Sequence, residues 1–141
     1  MKKILIFLLV LQTLTACQTA EEGSVEKFAT TNETVSQDLA EKAEETVEVL
    51  QRVEQAEAVS FNDDVYVYLN VTGFDRFFLK DIRSQAEKKL KTSLPEGKVH
   101  VSTDKKIEME IKELKQKLDA QQITKKNVEK DTKKIKKDME G

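Results

Sequence analysis

The most reactive group in this chain is the thiol of Cys17, the only cysteine among 141 residues. It follows Leu14-Thr15-Ala16, which ends in small residues, and an apolar run from Ile4 to Leu11 with two lysines before it. This order is typical of a bacterial secretory signal. A cysteine at the cleavage point predicts a lipoprotein signal, in which the thiol is acylated. We therefore expect cleavage between Ala16 and Cys17, which removes residues 1–16.

Acylation of Cys17 would anchor the mature protein to the outer face of the membrane through a diacylglyceryl group. The apolar run is shorter than the ~20 residues that a spanning helix needs. A disulfide needs two cysteines, and an exported free thiol is a reactive liability. One acyl chain binds only marginally, so a stable anchor needs two. Secretion without lipid and an uncleaved membrane anchor are the alternatives.

Charge is distributed unevenly along the expected mature chain. Residues 17–64 carry 13 acidic and 3 basic side chains, a net charge of -10, whereas residues 65–141 carry 13 acidic and 19 basic ones, a net charge of +6. Because the half nearest the anchor is acidic, we expect anionic lipid to repel it and lift the domain off the surface. This balance and the export signal argue against nucleic acid as a partner.

Hydrophobic periodicity predicts a small α/β (α+β) domain over residues 35–121, with the element order α-β-β-α-β-α. The predicted elements are helices over about 35–57, 75–93 and from Lys105, hairpin strands around 58–61 and 65–71, and a strand over 98–102. Asn62-Asp63-Asp64 is expected as a three-residue hairpin loop, and Asp104 belongs to a predicted helix cap. We expect a three-stranded sheet with an antiparallel hairpin and with helices covering one face.

The segments on either side of this domain are predicted to lie outside it. Residues 17–34 begin with the lipidated cysteine and are polar, which predicts a flexible tether. Residues 122–141 are rich in lysine and contain too little apolar area to fold alone. We expect this segment to be a helical extension or a disordered tail.

Tyr66 and Tyr68 share one face of the second hairpin strand and are the candidate residues for a partner surface. Shielding of a half-exposed sheet is the alternative interpretation of this pair. Phe74 is expected to pack back onto the first turn of the second helix, with Asp75 as its N-cap. His100 is expected at the surface, since it has no cysteine or second histidine nearby to form a metal site.

Motifs for catalysis are absent from the sequence. There is no HExxH, no GxSxG, no His/Cys cluster and no glycine-rich phosphate loop. We therefore expect a protein that is not an enzyme, without catalytic residues, metal or cofactor.

The order of four segments resembles a known family. The segments are LTAC, DDVYVYLNV, GFDRFFLKDIRSQAEKKL and KVHVSTDKKI, and together they resemble the YhcN/YlaJ sporulation lipoproteins over about residues 1–120. The resemblance implies a lipoprotein made in the forespore, located at the forespore or spore inner membrane and linked to germination or outgrowth. Cys17 is the only residue to which the resemblance assigns a role, that of the lipid attachment site.

Two functions follow as expectations. The first is a non-catalytic, lipid-anchored spore-envelope protein that acts as an interaction module in sporulation, germination or outgrowth, with other envelope proteins or peptidoglycan as partners. The alternative is a general extracytoplasmic lipoprotein that binds lipid or peptidoglycan and is not specific to spores. The α-β-β-α-β order, which is similar to that of BON modules, favours the alternative by topology alone.

Overall fold

A computed structural model describes residues 35–141 of the chain. The predictions for the signal, for cleavage and lipidation at Ala16 and Cys17, and for the tether therefore lie outside the described residues. The elements in chain order are α1 (Asp38–Glu48), β1 (Val53–Phe61), β2 (Asp64–Val71), a 3-10 helix (Gly73–Phe78), α2 (Leu79–Ser93), β3 (Lys98–Ser102), α3 (Lys105–Asp119) and α4 (Lys125–Glu140). The predicted α/β class, three strands and element order are confirmed through α3.

β2 is the central strand of the three-stranded sheet. β1 pairs with it in antiparallel orientation and β3 in parallel orientation, and α2 forms the crossover that a parallel pair requires. The hairpin loop has two residues, not the predicted three, because Asp64 pairs directly with Phe61. Asn62 in this loop has a φ of 52°, a conformation that asparagine tolerates well.

The prediction of one helix over residues 35–57 is wrong in its last part. α1 ends at Glu48, and β1 begins at Val53. Val53 fits the helical spacing of Val47, but it pairs with Val71 at the far end of β2. Pairing over this sequence distance is invisible to a local periodicity, which is why the pattern favoured a helix.

Helices cover both faces of the sheet, not one face as predicted. α1 and α2 pack against the first face, with buried residues that include Ala43, Val47, Val65, Val67, Ile82 and Leu90. α3 and α4 pack against the second face, with buried residues that include Val59, Tyr66, Tyr68, Ile107, Ile111 and Ile135. The alternation of β2 decides this arrangement, because it sends its valines to one core and its tyrosines to the other.

The lysine-rich C-terminal segment is helical, as one of the two predicted alternatives has it, but it packs into the domain and does not lie outside it. It forms α4, and Val128, Thr132 and Ile135 are buried along one face of that helix. The side chain of Thr124 caps it by accepting a hydrogen bond from the backbone N–H of Asn127. The segment has too little apolar area to fold alone, but the tyrosine face of β2 supplies the surface that it needs.

Side chains of α1 close the outer edge of β1. The backbone N–H of Ala58 donates to Glu44 Oε1 at 2.6 Å. The amide of Gln37 both accepts from the N–H of Ser60, at 2.9 Å, and donates to its carbonyl oxygen, at 3.0 Å. These contacts occupy groups on which another strand could otherwise pair.

Lys115 joins the two helical layers around the same edge. Its Nζ lies 2.6 Å from Glu44 Oε1 on α1 and 2.7 Å from Glu57 Oε2 on β1. Burial acts to lower the pKa of Lys115, but the two carboxylates outweigh burial and raise it. Lys115 is therefore charged at neutral pH and holds α3 against the strand.

Candidate functional site

The structure contradicts the prediction that Tyr66 and Tyr68 form a partner surface. Their relative exposures are 3% and 2%, and both belong to the core beneath α3 and α4. The physical reason is that α3 and α4 together cover a face of β2 that was expected to be half-exposed. Burial also raises the pKa of Tyr66 to about 12, with a smaller contribution from Asp64.

His100 is part of a half-buried cluster beside these tyrosines. Its Nε2 lies 2.8 Å from Asp64 Oδ1, and its ring stacks on Tyr66 with centroids 4.9 Å apart. Lys136 approaches the same carboxylate oxygen at 3.6 Å. Burial acts to raise the pKa of Asp64, but the hydrogen bond with His100 and the charge of Lys136 outweigh it and lower the pKa. These contacts connect β2, β3 and α4.

Two carboxylates on the second face have strongly lowered pKa values. Glu108 is held by lysines of its own helix, α3, whereas Asp138 joins α4 to α3 through Lys106. Hydrogen bonds from Lys105 and Lys112 lower the pKa of Glu108 to about 2. Hydrogen bonds from Lys106 and Lys134 likewise lower the pKa of Asp138 to about 2. Because both groups remain ionised near neutral pH, neither has a proton to donate as a general acid there.

The largest exposed apolar side chains lie on the 3-10 helix Gly73–Phe78, which we call the phenylalanine turn. Phe74 is 92% exposed, Phe77 is 90% exposed and Phe78 is 47% exposed. A 3-10 helix has three residues per turn, so Phe74 and Phe77 project to the same side. Around Gly73, a Cβ would meet no non-neighbouring atom within 4 Å. The turn thus projects from the domain into open space.

The base of the turn is held in place by Arg52, which precedes β1. Its Nε lies 3.4 Å from Asp75 Oδ1, and its guanidinium group lies 5.0 Å from the centroid of the Phe78 ring. The hydroxyl of Thr72 also donates to the Asp75 carboxylate. The contacts of Asp75 with Arg52 and Thr72 hold the turn in a defined conformation. In this conformation the side chains of Phe74 and Phe77 are exposed.

Further apolar and basic groups lie around the turn. Val49, at the end of α1, is 67% exposed, and an open depression runs from it towards Ile82. Arg76 and Lys80 are exposed and form no ion pair within residues 35–141. This end of the domain therefore combines protruding aromatic rings with unpaired positive charge.

Sequence reasoning missed this surface because it assigned its residues to the second helix. Phe74 was expected to pack onto that helix, and Asp75 to cap it; both predictions are wrong, since α2 begins only at Leu79 and has no side-chain cap. The signal that could have revealed the surface is the spacing of Phe74 and Phe77 directly after the break at Thr72-Gly73. α2 already has its buried stripe without them, in Ile82, Ala86 and Leu90.

Within residues 35–141, no helix is long and apolar enough to cross a membrane, and no group of acidic, histidine or cysteine side chains is placed to hold a metal ion. Comparison of the sequence with protein-family models finds no match. Comparison with curated proteins likewise finds no significant similarity.

Proposed function

We propose that this protein is a non-catalytic lipoprotein, anchored through Cys17 to the outer face of the cell membrane, that acts as an interaction module through the phenylalanine turn. In line with the resemblance of its sequence to YhcN/YlaJ proteins, its place is the forespore or spore inner membrane. Its role is in sporulation, germination or outgrowth. The observation that carries the interaction role is the exposure of Phe74 and Phe77 in a domain whose sheet is covered on both faces.

The energetics of the turn favour a binding role. Full burial of a phenylalanine side chain is worth about 1.5–3 kcal/mol, so burying Phe74 and Phe77 together would contribute about 3–6 kcal/mol before the costs of association. In the described domain neither ring gains this free energy, because both remain in solvent. A contact that covers the turn would recover it.

Replacement of Cys17 by alanine tests the anchor. We expect a tagged wild-type chain to fractionate with membranes in purified spores, and the Cys17→Ala chain to lose that fractionation, because the acylated thiol is gone. Cell fractionation and microscopy of growing cells and spores measure the outcome. A membrane signal in growing cells as well would favour the general envelope lipoprotein. A soluble signal that is unchanged by the substitution would rule out the lipoprotein assignment.

A double substitution, Phe74→Ser with Phe77→Ser, tests the contact surface. Neither side chain contributes to a core, so we expect normal abundance, stability and location. We expect spores of this strain to germinate as poorly as spores that lack the protein. The matched control is Met109→Ser, because Met109 is 66% exposed on α3, which packs on the opposite face of the sheet from α2. Germination at the wild-type rate in the double variant, alongside a defect in the null strain, would refute the turn as the contact surface.

A further inference from the structure

We propose that the partner of the phenylalanine turn is the lipid bilayer itself, with Phe74 and Phe77 inserted at the interface and Arg76 and Lys80 against anionic headgroups. This inference rests on the proposed function and specifies the partner of its contact surface. It adds a second, non-covalent attachment to the one expected at Cys17.

The shape of the surface favours a bilayer over a folded protein. Phe74 and Phe77 are 92% and 90% exposed on a turn of six residues, so they are projections and not the lining of a groove. A protein partner would need a cavity that fits both rings in the complex, since protein interiors are close-packed. A fluid bilayer accommodates projecting aromatic rings without a preformed cavity, and aromatic side chains are favoured at its interface.

The charges beside the rings fit anionic lipid. Arg76 follows Asp75 directly, and Lys80 lies in the first turn of α2; both are exposed, and neither forms an ion pair within the described part of the chain. The carboxylate of Asp75, next to Arg76 in the chain, is already paired with Arg52 at 3.4 Å, whereas Asp81, next to Lys80, is an exposed acidic side chain. A basic residue beside an anionic membrane surface is attracted to it, so at the turn apolar insertion and electrostatic attraction act together, against the repulsion expected of the acidic residues 17–64.

The geometry of the chain allows the turn to reach the membrane that carries the anchor. Val35, where the described chain begins, lies near the hairpin end of β1 because Gln37 bonds to Ser60. The phenylalanine turn follows Val71 at the other end of the sheet, ~23 Å away for seven strand steps. The 18 residues from Cys17 to Thr34 span up to ~60 Å when extended, so this separation does not prevent contact.

Two other occupants of the surface are less favourable. A second copy docking turn to turn would bring Arg76 and Lys80 of both copies together, and like charges in contact oppose association. Residues 18–34 of the same chain contain only Val25 and Phe28 as sizeable apolar side chains. They also join the domain at the end of β1 opposite the turn.

A single tryptophan tests the proposal, because the chain contains none. The full-length chain carrying Phe77→Trp is purified from membranes and reconstituted into vesicles of phosphatidylglycerol with brominated acyl chains. Bromine quenches tryptophan only at short range, so we expect at least a twofold loss of emission together with a shift to shorter wavelength. The matched control carries Met109→Trp on α3 and is expected to show neither change.

The composition of the vesicles tests the electrostatic part. We expect quenching of Phe77→Trp to fall at least twofold in brominated phosphatidylcholine, or when Arg76→Glu and Lys80→Glu are added, because the attraction to headgroups is lost. Equal quenching in both lipids would overturn the assignment to anionic lipid. Equal quenching of the Phe77→Trp and Met109→Trp chains would overturn insertion of the turn.

The failure of this inference is distinguishable from the failure of the proposed function. If Phe77→Trp is not quenched but the Phe74→Ser, Phe77→Ser strain still germinates poorly, the turn is a contact surface for a protein, and only the membrane proposal falls. If the chain is found in the soluble fraction, the proposed lipid anchor at Cys17 is wrong. The same quenching is then measured with the soluble chain added to preformed vesicles, where quenching supports insertion and its absence refutes it.

Discussion

Replacing Ile135 with alanine is expected to lower the free energy of unfolding by about 2–5 kcal/mol, the usual cost of removing a large aliphatic side chain from a core. Ile135 is 1% exposed and packs in the same cluster as Tyr66 and Tyr68. The residue lies in a lysine-rich segment that sequence composition places outside the domain. Urea unfolding of the chain from Gln18 to Gly141, followed by circular dichroism, measures the change.

The matched control for this prediction is Lys137→Ala, two residues along the same helix. Lys137 is exposed, so we expect a change within about 0.5 kcal/mol. A second variant that ends at Ile123 removes α4 and should expose the part of the tyrosine face that α3 does not cover. If Ile135→Ala and Lys137→Ala unfolded at the same urea concentration as the parent chain, the docking of α4 on the sheet would be wrong.

Replacing Tyr68 with alanine is expected to destabilise the domain by about 3–5 kcal/mol, as for other buried aromatic residues. The side chain is 2% exposed, and Lys105 Nζ lies 5.3 Å from the centroid of its ring. A residue of a partner surface would behave in the opposite way, since its loss would weaken binding without changing stability. The same urea titration distinguishes the two roles.

Tyr68→Phe is the matched variant, because it keeps the ring and removes only the hydroxyl. The hydroxyl interacts with Lys105 and Glu108, so the cost of its removal should stay near that of one hydrogen bond, about 0.5–1.5 kcal/mol. If Tyr68→Ala left the unfolding transition unchanged, the side chain would have to lie outside the core. The interpretation of this strand face as a partner surface would then return.

Local sequence patterns correctly predicted those structural elements that depend only on a few adjacent residues. The alternation of Val65 to Val71 predicted β2, and the two sets of side chains do point to opposite faces. Asp104 caps α3 as predicted, with its carboxylate 2.7 Å from the N–H of Lys106. Dihedral preference, alternation and capping act over one to four residues, so they can be recognised without knowledge of the fold.

Predictions from local patterns were wrong where the conformation of a segment depends on residues far away in the sequence. The end of the first predicted helix became β1 because of its pairing with residues 64–71, and residues 125–140 became a core helix because of Tyr66 and Tyr68. The candidate contact surface is formed by Phe74 and Phe77 and not by the tyrosines, because distant segments cover the tyrosines and leave the phenylalanines exposed. The hydrophobic side chains concerned are Tyr66, Tyr68, Phe74, Phe77, Val53 and Ile135. Composition alone does not distinguish those that are buried from those that are exposed.

The sequence by itself therefore determined the element order through α3, the alternation within β2 and, as a prediction, an anchor at Cys17. Only the tertiary structure decided which apolar side chains are covered. Burial is a property of the partner surface and not of the residue, since the free energy depends on the area removed from water by whatever packs against it. α3 and α4 provide that partner for Tyr66 and Tyr68, and nothing within residues 35–141 provides it for Phe74 and Phe77.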